Sequence, residues 1–333
     1  MGSLARKQAL EATSTGFREA TRQVVEGFHS RRPIRTGSLV ISLFGDAIAP
    51  HGGAVWLGSL INVLEPFGIN ERLVRTSVFR LAKEGWLESE QIGRRSFYNL
   101  TSTGRLRFNE ASRRIYSGPR QDWNGTWCLV LLAGVESQYR DNIRKELSWL
   151  GFAPFSPNVL AHPAPDMRGV DERLEQLAGN EQILLMQAIN KDNGKRKRYL
   201  QKLVSQSWSL QELDDRYEEF LQRFRPVYQA ARRSRNPDPK TAFQLRTLLI
   251  HEYRKILLRD PFLPAELLPE RWNGVSAYQL CRNIYSLVAG PTEQFLTGAL
   301  ENADGPLPPA SPSFYERFGG IQSDRQSIRE NNG

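Results

Sequence analysis

Four cations recur along one short segment, Arg72, Arg75, Arg80 and Lys83 in "NERLVRTSVFRLAKEGWL", residues 70–87. Side chains of this type make and break no bonds at such spacings; they recognise anions. An arginine fork bonds guanine O6 and N7 together, or clamps a phosphate. At about 100° per residue the pattern predicts a helix over 71–84. Leu73, Val74, Ser77, Val78 and Leu81 fall on one side of it, and Arg72, Arg75, Thr76, Phe79 and Lys83 on the other. Asn70 is placed to cap its start and Gly85 to end it. Phe79 suits either packing against a neighbouring helix, the reading preferred from sequence, or contact with a thymine methyl.

The elements around this helix must hold it out to its partner. "SLVISLFGDAIAP" (38–50) reads as a helix closed by Pro50, and a second apolar helix is expected over Val55–Leu64. After the third helix, "WLESEQIGRRSFYNL" (86–100) contains two strand-like runs about the turn Ile92-Gly93-Arg94-Arg95. Three helices followed by a hairpin with a basic tip is the order of a winged helix-turn-helix, whose third helix enters the major groove of double-stranded DNA. Arg94 and Arg95 would then reach phosphate or the minor groove. A helix over 102–116, capped by Thr101 and carrying Leu106, Ala111 and Ile115, either pairs subunits or connects domains. The DNA-reading domain is set at 36–118, preceded by a mobile arm, 1–35, with one short helix near Phe17–Phe28.

The charge distribution agrees. Residues 1–120 carry 18 Lys and Arg against 10 Asp and Glu, while the other 213 residues carry 27 against 26, so the excess of +9 is concentrated in the first third. Such an excess suits a polyanionic partner. A membrane surface would satisfy the same arithmetic, but the longest apolar stretch, 127–135, is too short to span a bilayer, and no apolar leader core is present. The two cysteines, Cys128 and Cys281, sit in apolar runs and imply a reducing compartment. The expectation is a soluble, cytoplasmic protein with no membrane partner.

Beyond the turn-rich "PRQDWNG" (119–125), strand Trp127–Leu132, helix Gln138–Leu150, short runs over Phe152–Ala161, helix Val170–Ala178 and strand Gln182–Gln187 give a βαββαβ order. That predicts a ferredoxin-like middle domain over 119–194. The basic run Lys195–Arg198 suits nucleic acid or a solvated linker. Residues 195–303 read as a helical C-terminal domain: "SLQE" at 209–212 is a capping box, Asp238 and Pro239 open a helix that stops before Pro261, and a last helix from Ser276 breaks near Gly290-Pro291. A Pro-rich tail, 304–333, carries aromatics that could fold back over a groove. The fold class is α+β and multidomain.

No phosphate-cradling, dinucleotide, HExxH or CxxC motif occurs, and histidines 29, 51, 162 and 251 are too scattered for a metal site. Ferredoxin-like folds occur in nucleases, notably the small CRISPR spacer-integration nuclease, where an acidic residue ends the first strand, whereas this strand ends "LLAGV". No catalytic residue, metal or cofactor is therefore expected, and a nucleic-acid-processing enzyme or subunit is the weaker alternative.

"SLVISLFGDAIAPHGGAVWLGSL", "ERLVRTSVFRLAKEGWL", "IGRRSFYNLT", "LLIHEYRKILLRDPFLPAELLPERW" and "FYERFGG" resemble the PaaX repressors of phenylacetic acid degradation, over about residues 38–320. The resemblance implies a homodimeric repressor that leaves its operator on binding phenylacetyl-CoA, and a middle domain like the small CRISPR nuclease without its chemistry. A related regulator answering to another acyl-CoA or aromatic acid is the second alternative. A CoA thioester needs cations for its phosphates and an apolar pocket for its acyl group. His251, Arg254 and Lys255 share one flank of a helix, Arg259 follows at its end, and the next loop supplies Phe262 and Trp272. Against that, His251 can be a satisfied buried histidine, with Arg254 and Arg259 paired to Asp260 or Glu266.

Overall fold

In the N-terminal stretch Phe17, Thr21, Val24, Val25 and Phe28 recur at helical spacing, and α1 (Gly2–His29) buries all five. Apolar side chains of this size contribute roughly 1.5–3 kcal/mol each on full burial, so the helix expected near Phe17–Phe28 forms and packs, where the sequence suggested a mobile arm. Phe28 stands edge-on to His251 with ring centres 5.7 Å apart, and Arg31 pairs with Glu252 at 2.7 Å. These positions come from a computed structural model that describes residues 2–31, 34–118, 123–163, 167–177, 182–190 and 195–321. The chain forms two compact units, one of Met1–Gly118, Glu218–Leu258 and Ser276–Gly333, the other of Pro119–Tyr217 and Arg259–Val275. The break expected from sequence at 118 coincides with the switch from the first unit to the second, whereas no break falls at 194, and the later segments interleave.

In the first unit α2 (Thr36–Leu43) passes through a π-helical turn, Phe44–Ile48, and a 3-10 turn, Ala49–His51. Gly52 and Gly53 then adopt φ of 96° and 83°, a region open to glycine. They turn the chain into a strand, β1 (Ala54–Trp56), where sequence suggested the start of a helix. Next come α3 (Leu57–Leu64), α4 (Glu71–Lys83), β2 (Leu87–Ile92), β3 (Arg95–Leu100) and α5 (Ser102–Tyr116). The strands form an antiparallel sheet in the order β1-β3-β2. On α5 the anchor is Phe108, against Trp86; Leu106, expected on the apolar side, is exposed.

The second unit contains β4 (Thr126–Leu131), α6 (Ser137–Trp149), β5 (Ala153–Ser156), β6 (Val159–His162), α7 (Met167–Glu175) and β7 (Leu184–Ile189). Their sheet order, β5-β6-β4-β7, with every neighbour antiparallel, is that of a ferredoxin-like domain. One core lies between the sheet and α6 and α7, through Val130, Leu132, Ile143, Leu147, Val170 and Leu174. A second is built on Trp127, Ala161, Val204, Leu210, Leu263 and Leu267. α8 (Lys197–Ser207) and the turn Ala265–Leu267 therefore belong with this sheet, not with a separate helical domain.

α9 (Leu210–Arg233) begins after Ser209, which sits at φ 49°, far from the extended N-cap geometry, and Glu212 pairs with Arg216 at 2.8 Å. The expected capping box does not form. α10 (Pro239–Leu257) starts as expected, with Asp238 accepting from the N–H of Thr241 at 2.9 Å. α11 (Asn273–Ala299) runs unbroken through Pro291. Thr292 and Leu296 beyond the proline are buried, as are Val288 and Ala289 before it, so packing on both sides outweighs the lost N–H bond. A small hairpin, β8 (Glu301–Asn302) and β9 (Gly305–Pro306), precedes α12 (Pro312–Tyr315). The tail does fold back: Phe314, Phe318 and Ile321 are buried. Among the described residues no helix is long and apolar enough to cross a membrane.

Candidate nucleic-acid interface

α4 is capped as its sequence requires, with Asn70 accepting from the N–H of Leu73 at 3.0 Å. Val74, Ser77, Val78 and Leu81 are buried against α2 and α3. Leu73, assigned to the buried side, is 41% exposed, and Phe79, assigned to the cationic side but expected to pack on a neighbouring helix, is 69% exposed. Phe79 therefore packs on nothing substantial and stands in the middle of the outward face. Arg72, Arg75, Thr76, Arg80 and Lys83 share that exposed face. Arg75 pairs with Glu71 at 2.7 Å and Arg80 with Glu84 at 3.6 Å, all four side chains at least half-exposed. Such pairs are worth about 0–1 kcal/mol and open readily for a stronger anion. Thr76 Oγ1 donates to the carbonyl of Arg72 at 2.8 Å.

The hairpin beside it turns through Gly93, at φ 61°, and Arg94. Arg94 is exposed and makes no ion pair among the described residues. Arg95 is more constrained: its guanidinium lies 4.4 Å from the ring centre of Trp56 and pairs with Glu301 at 3.0 Å. The backbone N–H of Glu301 in turn donates to Ser59 Oγ at 3.2 Å, so β8 braces the hairpin.

Behind this surface lies a buried charged network that sequence did not anticipate. The carboxylate of Asp46 accepts from Arg246 Nε at 2.8 Å, Arg317 Nη1 at 3.1 Å, Tyr116 at 2.6 Å and Tyr285 at 2.9 Å. Burial pushes both phenols upward, so they stay protonated and donate. Arg246 also pairs with Glu293 at 2.7 Å, and although burial opposes it, bonds from His51 and Arg246 pull the Glu293 carboxyl down to about 2. The network ties α2's π-helical turn, α5, α10, α11 and the tail together. Its signal in the sequence is a lone charge inside each of two apolar stretches, "SLFGDAIAP" and "AFQLRTLLI"; Arg317 stands beside Glu316 in "FYERFGG" and gives no such signal.

The effector candidates separate. His251 is buried with Nδ1 3.1 Å from Ser42 Oγ. Burial, against a smaller raising pull from Glu252, lowers it to about 4. It is a buried core histidine hydrogen-bonded to Ser42. Lys255 bonds Glu252 at 3.4 Å, and Glu252 also takes Arg31 and Arg223. Arg259 and Trp272 fall in the second unit, where Trp272 packs on Tyr217 with ring centres 5.5 Å apart. Asp260, the partner suggested for Arg254, instead accepts from Tyr217 and from the N–H of Phe262. Arg254 faces a cleft between α2, α5 and α10.

His251 carries a pH prediction. Its folded value lies below the ordinary 6.5, so the stability of the neutral form is complete above about pH 6.5 and is lost as pH falls towards 4. About 3 kcal/mol should go in that window, ahead of the Glu293 loss between about 4.5 and 2. Urea unfolding at pH 7, 5.5 and 4 checks this, and His251→Gln should flatten the slope.

Three family models match in chain order: PaaX-like protein over 35–104, the PaaX protein central Cas2-like domain over 120–200, and the PaaX-like protein C-terminal domain over 208–298. The chain belongs to the PaaX family. It is 37% identical over 297 residues to the transcriptional repressor PaaX of Escherichia coli strain K12, spanning 89% of this chain and 94% of that protein. Among solved structures it is similar to the uncharacterized protein Rv0674 from Mycobacterium tuberculosis, with a TM-score of 0.50 and 20% identity over 77% of this chain and 97% of that one, a likeness of fold alone.

Proposed function

We propose that the chain is a DNA-binding transcriptional repressor whose α2–α4 and β1–β3 form a winged helix-turn-helix, with α4 in the major groove and the β2–β3 hairpin as its wing. The observation that carries this is the outward face of α4, where Arg72, Arg75, Arg80 and Lys83 surround an exposed Phe79 above a buried inner face of Val74, Ser77, Val78 and Leu81. Arg75 reads a base, Phe79 meets a thymine methyl, and Arg94 holds the backbone. The repressor name of the Escherichia coli relative supports the role and sets the chain apart from enzymes. The protein acts in the cytoplasm as a homodimer on double-stranded operator DNA. An acyl-CoA effector, phenylacetyl-CoA, releases it by binding the DNA-incompetent state more tightly, with a coupling typically of about 1–3 kcal/mol.

Footprinting on DNA upstream of the chain's own gene tests this reading. Two protected half-sites about one helical turn apart, or a multiple of it, are expected; cleavage of that DNA with Mg²⁺ alone would instead revive the nuclease alternative. Arg94→Ala should flatten the salt dependence of affinity by about one unit. Arg95→Ala should flatten it less, because Glu301 and Trp56 already hold that guanidinium.

A further inference from the structure

The 213 residues beyond 120 carry 27 Lys and Arg against 26 Asp and Glu, and five of those cations fall in 195–211, which holds no acidic residue at all. This basic run is not a linker, because it opens α8, a helix seated on the sheet of the second unit. Leu200 and Val204 turn inward, onto the core built on Trp127 and Ala161. At about 100° per residue Arg198, Tyr199 and Lys202 take the opposite side and are exposed, Tyr199 at 68%. Lys195 and Lys197 stand exposed at the start of the helix. Elsewhere in this unit arginines are matched by carboxylates: Arg144 pairs with Asp141, Arg173 with Glu146 and Arg216 with Glu212. Lys195, Lys197, Arg198 and Lys202 make no ion pair among the described residues. Arg198 and Lys202 lie one turn apart, where like charges repel, and α8 has no acidic residue in its first turn to offset them. The packing of α8 therefore draws nothing from these cations, and their charge is left to a partner.

We propose that the outward face of α8 is a second contact with DNA, made to the phosphate backbone and separate from that of α4. The inference rests on the DNA-binding reading given above. Lysine is a compact point charge on a flexible stem, which suits phosphate better than a base edge, and the exposed Tyr199 hydroxyl adds a donor for a phosphate oxygen. Phosphates recur along the duplex whatever its sequence, so this contact adds affinity without adding specificity, and it weakens as salt rises. The division of labour follows: α4 selects the operator, and α8 helps to hold whatever duplex is bound.

Fluorescence anisotropy of the full chain over a salt series, on operator DNA and on an unrelated duplex of equal length, tests the contact. The double variant Arg198→Gln with Lys202→Gln is compared with wild type and with a control, Lys145→Gln with Arg271→Gln, which removes two exposed cations of the same unit outside the run. Glutamine keeps the helix propensity of α8, and circular dichroism melting checks that each variant is folded. The α8 variant should lower the salt slope by about 1.8 for each protomer bound, at roughly 0.9 per phosphate, and weaken binding to both duplexes by the same factor, about tenfold. The control should keep the wild-type slope. An α8 variant with the wild-type slope, or a control that loses as much, would overturn the contact while leaving the role of α4 standing. So would an α8 variant that binds DNA normally but needs more phenylacetyl-CoA for release, since its cations would then serve the phosphates of CoA. A wild type that binds neither duplex would overturn the DNA-binding reading, and this contact with it.

Discussion

Replacing Asp46 with alanine should cost the protein about 3–5 kcal/mol, the loss expected when one partner of a buried ion pair is removed and the other stays. Two guanidiniums, Arg246 and Arg317, converge on this carboxylate, and both are almost wholly buried. Tyr116 and Tyr285 donate to it as well. Without it Arg246 retains Glu293, while among the described residues Arg317 retains neutral acceptors, the carbonyls of Gly45 and Asp46 and the Tyr285 hydroxyl. Asp46→Asn preserves the shape but not the charge and should recover only part of the loss. Urea unfolding followed by circular dichroism measures both variants. A loss under about 1 kcal/mol for Asp46→Ala would mean that the arginines find other partners and that the network is not what binds the tail to α2.

The second large effect concerns the face of α4. Arg75→Ala should lose about 1–3 kcal/mol of operator affinity and relax the preference at one base pair, since its exposed pair with Glu71 offers little to retain it. Removing Arg72, Arg75 and Lys83 together should lower the salt slope by about 1.8, since Arg72 and Lys83 each neutralise one phosphate at roughly 0.9 per phosphate while Arg75 reads a base. Phe79→Ala, by contrast, should leave the salt slope unchanged and lower affinity only where the site carries a thymine. Fluorescence anisotropy over a salt series separates these outcomes. Wild-type affinity in the triple variant would place the DNA-binding surface on another element.

The face of α4 and the strand order of the ferredoxin-like domain are legible in the sequence because both rest on local periodicity: buried residues recur every three or four positions on α4, and apolar strands alternate with amphipathic helices from 126 to 189. Phe79 misleads because an aromatic in an amphipathic helix usually packs, and only the positions of α2 and α3 show that nothing covers it. The N-terminal helix misleads for the opposite reason. Its polar residues outnumber the five that anchor it, and burial depends on α10, more than 200 positions away in the chain. The Asp46 network joins residues 46, 116, 246, 285 and 317, so no single stretch of sequence shows that its charges meet. Ser209 and Glu212 have the spacing of a capping box, yet backbone geometry at Ser209 and the Arg216 pair override it. At Arg254 the charge is plain in the sequence, but its contacts with the Ser38 and Ser42 hydroxyls of α2 emerge only in three dimensions.

Gel retardation of the upstream operator DNA, titrated with phenylacetyl-CoA, bears most directly on the central claim that α4 reads DNA and an acyl-CoA releases it. Wild type should retard the DNA without cleaving it and let go as phenylacetyl-CoA rises, while the Arg72, Arg75 and Lys83 triple alanine variant should not retard it at any effector concentration. Retardation by the triple variant equal to wild type, or a wild-type complex indifferent to saturating phenylacetyl-CoA, would contradict the account.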